Sequence, residues 1–227
     1  MDPILELARR YELVVIEDAA EGLGARYKEQ VVGAIGDIAC LSFNGNKIIT
    51  TGGGGMILTN NKTIARKAKH ITTQAKAHPL EYFHDETGYN YRLVNILAAI
   101  GVAQMEQLPD FIKRKKEIDQ FYRKELSTIK KISFQEIPSP VNSNHWLFTI
   151  LVPNSKPVIQ LLEKSGIQAR SLWVPMNQLP MYKKAPYVTT VNISEKIYSQ
   201  SISLPCSTNI TNNELKEVAA YIKKIIN

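Results

Sequence analysis

Three side chains at two places in the sequence could together handle a carbonyl group: Lys47, Asp18 and Ser42. Lys47 closes a short polar turn, Asn44-Gly45-Asn46-Lys47. The apolar run Ile38 to Phe43 precedes it, and Thr51-Gly52-Gly53-Gly54-Gly55 leads on into Met56-Ile57-Leu58. A lysine amine becomes a nucleophile toward aldehydes and ketones when desolvation favours its neutral form. Asp18 ends the β-rich run Leu13-Val14-Val15-Ile16-Glu17 and is followed by two small residues, Ala19 and Ala20. Open α/β sheets gather their ligand contacts at the carboxyl ends of their strands, where this carboxylate would stand. Ser42, five residues before Lys47, offers a hydroxyl to an anion. The glycines let backbone approach a ligand with no Cβ in the way. Taken alone, Lys47 reads as a solvated turn residue; the two segments together point to chemistry.

A carbonyl-bearing cofactor such as pyridoxal phosphate asks for this set. It needs an amine for a Schiff base and a carboxylate against its pyridine nitrogen, which keeps the ring protonated and able to accept electrons. The wording of the segments is also informative. Val15-Ile16-Glu17-Asp18-Ala19-Ala20-Glu21 is followed by Gly36-Asp37, by Ser42-Phe43-Asn44-Gly45-Asn46-Lys47 and by Thr51-Gly52-Gly53-Gly54-Gly55-Met56. Further on come Gly88-Tyr89-Asn90-Tyr91-Arg92, Ala98-Ala99-Ile100-Gly101, Gly166-Ile167-Gln168-Ala169-Arg170 and Leu204-Pro205-Cys206. This ordered series, spread over the whole chain, resembles the DegT/StrS-type sugar aminotransferases, pyridoxal-phosphate enzymes of the aspartate aminotransferase fold. The Asn-Gly-Asn-Lys turn and the all-glycine tract look closest to the branch that aminates nucleotide-linked 4-keto-6-deoxy sugars for legionaminic-acid-type products.

The resemblance implies roles residue by residue. Lys47 matches the Schiff-base lysine, Asp18 the partner of the pyridine nitrogen, and Ser42 a phosphate ligand. Ala20 matches the small residue packed on one ring face. Glu21 stands where many members carry Gln or His beside the ring hydroxyl, and a carboxylate facing a phenolate-like oxygen would need protonation. Asn90 matches a residue that reaches the phosphate of a neighbouring subunit, which implies a homodimer with a shared active site. Gly54 departs from the commoner pattern, which has Glu in that tract. The implied activity is transfer of an amino group from glutamate to a nucleotide-linked keto-sugar. A dehydrating branch of the family replaces the lysine with histidine, and Lys47 argues against it.

Met1-Asp2-Pro3-Ile4-Leu5-Glu6-Leu7 resembles the middle of a family member. The expectation is therefore the C-terminal part of a fold-type I α/β transferase: a partial large α/β domain over residues 1–108 and a small α+β domain over 109–227. In the family, the preceding part supplies the helix N-terminus that holds the phosphate. A further expectation is weak cofactor binding by this chain alone, with a non-catalytic remnant as the alternative.

Composition agrees with an enzyme core. The chain has 227 residues, 44% of them hydrophobic, and a net charge of +7 that favours acidic ligands. The densest basic run, Lys113-Arg114-Lys115-Lys116, shares a segment with the helical stripe Phe111, Lys115, Ile118, Tyr122 and Leu126, so it reads as a solvated helix face. With no recognised motif beside it, a nucleic-acid partner is not expected. Cys40 and Cys206 form no metal-ligand spacing, and His78 and His84 are not at helical metal spacing, so no metal is expected. The charged first ten residues resemble neither a signal peptide nor a membrane span, giving a cytoplasmic expectation.

The elements that must hold these residues follow from periodicity and caps. We expect a helix from Pro3 to about Tyr11, capped by Asp2 and burying Ile4, Leu5, Leu7 and Ala8, then a strand from Leu13 to Glu17. Strands flank the Lys47 turn, and Asn61 caps a helix to about Lys76. Residues 77–90 are irregular. A helix from Val94 to Gln107 restarts after Pro109 and runs to Ile129. His145 to Val152 and Ile167 to Arg170 read as strands, Pro157 to Lys164 as a helix, and Thr211 to Glu214 as a capping box opening a last helix.

Overall fold

The computed structural model describes residues 1–226 as two compact units. The first comprises 1–112 and 137–146, and the second 113–136 and 147–226. The sequence reading places a single cut at 108/109.

In the first unit, α1 (Asp2–Arg10) begins with Pro at its first turn. Met1, and not Asp2, is the N-cap; Asp2 lies inside the first turn and pairs with Lys28. Of the four apolar residues expected to face inward, only Ala8 is buried; Ile4 and Leu7 are exposed. β1 (Ile16–Asp18) is shorter than the apolar run before it suggests. β2 (Arg26–Tyr27) and β3 (Gln30–Val31) form a hairpin. β4 (Ile38–Ser42) runs parallel to β1, with Asp18 opposite Cys40, and pairs antiparallel with β5 (Gly55–Leu58). The sheet order is thus β1-β4-β5, with the Lys47 turn in the β4–β5 connection.

α2 (Lys62–Thr72) opens as expected, the Asn61 side chain accepting from the N–H groups of Thr63 and Ile64. It stops short of Lys76 because Gln74 and Ala75 take left-handed backbone conformations, φ 68° and 49°. α3 (Asn95–Leu126) is one unbroken helix of 32 residues, so the expected interruption at Pro109 is absent. Pro109 lies on an exposed side of the helix, where solvent can satisfy the carbonyl that its missing N–H leaves. The residues of α3 up to Ile112 belong to the first unit and those from Lys113 to the second.

The second unit is built on the antiparallel sheet β6-β8-β9; β7 (Val141–Asn142) belongs to the first unit, where it joins β2. In that sheet, β6 (Ser133–Phe134) and β9 (Ser201–Leu204) flank β8 (Phe148–Leu151). α4 (Ser155–Lys164), α5 (Ile193–Gln200) and α6 (Asn212–Ile226) complete it. Its core gathers Ile118, Tyr122 and Leu126 of α3 with Phe148, Ile150, Leu162, Ile202, Leu215 and Ile222. Alternation explains β8, whose Phe148 and Ile150 point inward while Thr149 and Leu151 are only partly covered. The capping box is present: Thr211 N–H donates to Glu214 Oε2 at 2.7 Å, and Glu214 N–H to Thr211 Oγ1 at 3.2 Å. Ile167 to Arg170 makes only a single bridge, from Arg170 to Ser203.

Three side-chain environments stand out. Cys40 is exposed. Lys115 leaves the solvated face of its helix and is buried, its Nζ donating to the Cys206 carbonyl at 2.7 Å. His70 Nε2 lies 2.6 Å from Asp85 and 3.4 Å from Glu86. Lys67 also pairs with Glu86 and offsets one of the two carboxylate charges there.

Candidate active site around Lys47

The turn that carries Lys47 is pinned at both ends by backbone. Phe43 N–H donates to the Gly54 carbonyl and Thr51 N–H to the Phe43 carbonyl, each at 3.0 Å, while Lys47 N–H closes the inner turn onto the Asn44 carbonyl at 3.1 Å. Phe43 and Ile49 are buried on either side of it, so apolar pegs fix a polar loop. The Lys47 side chain is only 12% exposed; its Nζ pairs with the Glu21 carboxylate and lies 4.9 Å from the centre of the Trp146 ring. Ala20, Glu21, Ser42, Lys47, Asn144 and Trp146 share one small cavity, about the volume of a single water at 10 Å³.

The loop that carries Asp18 and Glu21 is held from below. Glu17, buried at 8% exposure, turns its carboxylate onto three backbone N–H groups: Gly33 at 2.9 Å, Ile35 at 2.7 Å and Gly36 at 2.6 Å. Asp18, the next residue, is exposed at the strand end, its Oδ1 accepting from Ala20 N–H at 3.2 Å. Gly54 has φ +85°, and a Cβ there would meet Leu93 Cδ1 at 2.8 Å, so both the backbone conformation and the space favour glycine at this position.

Ser42 accepts from Asn44 N–H at 3.4 Å, so its own hydroxyl proton can turn outward to an anion. The structure therefore brings Ala20, Glu21, Ser42 and Lys47 together, with Asp18 on the same loop as Glu21. Asn90 is not among them. It is exposed, bridges Thr73, and lines a separate cleft of about 1140 Å³ with Gly53, Gly54, Lys69 and Arg92.

Three residues were not found by sequence reasoning. Glu17 had a signal, since period-two alternation makes one of two adjacent strand carboxylates face inward. Asn144 and Trp146 had none, because their partners are about a hundred residues away: Asn144 Nδ2 donates to the Glu21 and Leu23 carbonyls, and Trp146 Nε1 to the Asn46 carbonyl. Chemically, the site offers a sheltered amine, a strand-end carboxylate and an outward-turning hydroxyl, a donor set that fits an aldehyde-bearing pyridine phosphate.

Comparison with known proteins agrees with this chemistry. A profile of the DegT/DnrJ/EryC1/StrS aminotransferase family matches residues 1–223. A GDP-perosamine synthase from Escherichia coli O157:H7 is 38% identical over 234 residues, covering 100% of this chain and 61% of its own length. A UDP-4-amino-4,6-dideoxy-N-acetyl-beta-L-altrosamine transaminase from Campylobacter jejuni is 29% identical, with 100% and 62% covered. The crystal structure of a DegT/DnrJ/EryC1/StrS aminotransferase from Brucella abortus superposes with a TM-score of 0.91 at 24% identity, covering 100% of this chain and 61% of that one. The chain thus spans about three-fifths of the length of these relatives.

Proposed function

The chain belongs to the DegT/DnrJ/EryC1/StrS aminotransferase family, and from that membership we propose that it works in pyridoxal-phosphate-dependent transfer of an amino group from glutamate to a nucleotide-linked 4-keto-6-deoxy sugar. The observation that carries the reading is the sheltered Lys47 amine, which faces the loop bearing Asp18 and Glu21 across a cavity also lined by Ser42.

Pyridoxal phosphate, when bound, supplies an electrophilic aldehyde carbon and a ring that takes up an electron pair. Lys47 would hold it by its amine and, once released by the incoming amino group, move a proton at Nζ as acid and base. The Asp18 carboxylate would stand against the ring nitrogen and favour its protonated form. Ser42 would donate its hydroxyl to the phosphate, Ala20 would pack on the ring, and Glu21, released from Lys47, would sit beside the ring hydroxyl. Asn90, exposed and lining a different cleft, suits a contact with the phosphate held by a second copy, hence a homodimer. The sugar class is supported by the names of the perosamine synthase and altrosamine transaminase relatives. Nucleotide-linked sugars and free glutamate are cytoplasmic metabolites, so the reading puts the reaction in that compartment.

The test is spectroscopic. Pyridoxal phosphate in large excess should give this chain a visible absorbance band, weak because the chain alone binds the cofactor weakly, that glutamate slowly bleaches and a nucleotide-linked keto-sugar restores. A chain that shows no band would be the non-catalytic alternative.

A further inference from the structure

We propose that Trp146 is a positioning residue for the Lys47 amine, acting through its ring face, and that Asn144 holds the facing Glu21 loop in register with it. The inference rests on reading Lys47 as the reactive amine. Residues 137–146 lie between two stretches of the second unit in sequence, yet belong to the first. There Asn144, 6% exposed, uses its whole side chain: Nδ2 donates to the Glu21 carbonyl at 2.7 Å and the Leu23 carbonyl at 3.0 Å, and Oδ1 accepts from Trp146 N–H at 3.1 Å. That last bond spans His145, a non-glycine residue at φ 50°, a conformation that persists only where its surroundings hold it.

The bend has a clear result. One side chain is fastened to the Glu21 loop and the next but one to the Lys47 turn, through Trp146 Nε1–H to the Asn46 carbonyl at 2.7 Å. The indole ring then faces Lys47 Nζ at 4.9 Å, within the range at which the negative face of an aromatic ring attracts an ammonium. Lys47 is thereby held from two directions, by the Glu21 carboxylate and the Trp146 ring. A flexible lysine stem has many rotamers, and restricting it to the one between Glu21 and the Trp146 ring lowers the entropy lost when the amine bonds to a carbonyl.

The test compares Trp146→Phe, which keeps an aromatic face, with Trp146→Leu, which keeps apolar bulk without one. Far-UV circular dichroism and thermal melting establish that both fold. Each lysine's acetylation rate by acetic anhydride is then read by mass spectrometry relative to exposed Lys62. Lys47 should react slowly in the wild type and in Trp146→Phe, and at least threefold faster in Trp146→Leu, with the other lysines unchanged. Equal Lys47 rates in the two variants would overturn the proposal, since Trp146 would then serve only as filler. The readout needs no cofactor, so it stands apart from the functional reading. A chain that fails to capture pyridoxal phosphate but keeps the Phe/Leu difference loses the function and keeps the positioning role.

Discussion

Glu17 and Asp18 are neighbours in β1 with opposite fates: the first carboxylate is buried against three backbone N–H groups, and the second is exposed at the strand's end. The two-residue period of a strand requires this, because successive side chains leave opposite faces. The pair therefore separates folding from chemistry. Glu17→Gln replaces an acceptor-only group by one that presents N–H donors to donors, and should cost about 1–3 kcal/mol. Asp18→Asn should leave the urea midpoint where it is and weaken retention of pyridoxal phosphate. An Asp18→Asn variant that unfolds as early as Glu17→Gln would refute the division.

Lys47→Ala should abolish borohydride-trapped pyridoxal phosphate while leaving the melting temperature within a few degrees of wild type, since the Lys47 side chain contacts Glu21 and the Trp146 ring, neither of them part of the buried apolar core. Peptide mapping decides the matter: cofactor fixed to any other lysine in the wild type moves the site elsewhere.

Gly54→Glu should destabilise this chain. A side chain at φ +85° is strained, and its Cβ would collide with Leu93 Cδ1. The cost should be about 1–3 kcal/mol, read from denaturant unfolding. A neutral or stabilising result would mean that the turn re-forms with a different backbone.

Burial, reinforced by Cys206, pushes the Tyr122 phenol well above its ordinary value, and its hydroxyl donates to the Pro205 carbonyl at 2.8 Å. The native state thus keeps a proton that the unfolded chain releases near pH 10. Its contribution is complete below that pH and is lost as pH rises beyond it. Wild-type stability should fall more steeply above about pH 10 than that of Tyr122→Phe, which has no proton to lose. Parallel melting curves for the two proteins from pH 8 to 11 would contradict this linkage.

The helix caps and the placement of the Lys47 turn were legible because their signals are local. The Asn61 cap, the Thr211–Glu214 box and the Lys47 turn each depend on residues within a few positions of one another. The misread parts depend on tertiary context. Ile4 and Leu7 have the right spacing for a buried face and lie exposed, and Pro109 has the right chemistry to end a helix but sits where solvent can replace its lost bond. Lys115 reads as a surface charge because its partner, the Cys206 carbonyl, is 91 residues away. Asn144 and Trp146 escaped for the same reason. No pattern within their own segment says which loops they fasten.

The return of residues 137–146 to the first unit has a consequence for how this gene can be divided. A single cut at 108/109 leaves the lysine on one polypeptide and its tryptophan on the other. Two halves expressed separately from that cut would be a split protein whose reassembly could be scored at the Lys47 turn itself. A self-sufficient first unit needs a ligation instead, Ile112 joined through a new linker to Ile137, with Trp146 as its last residue.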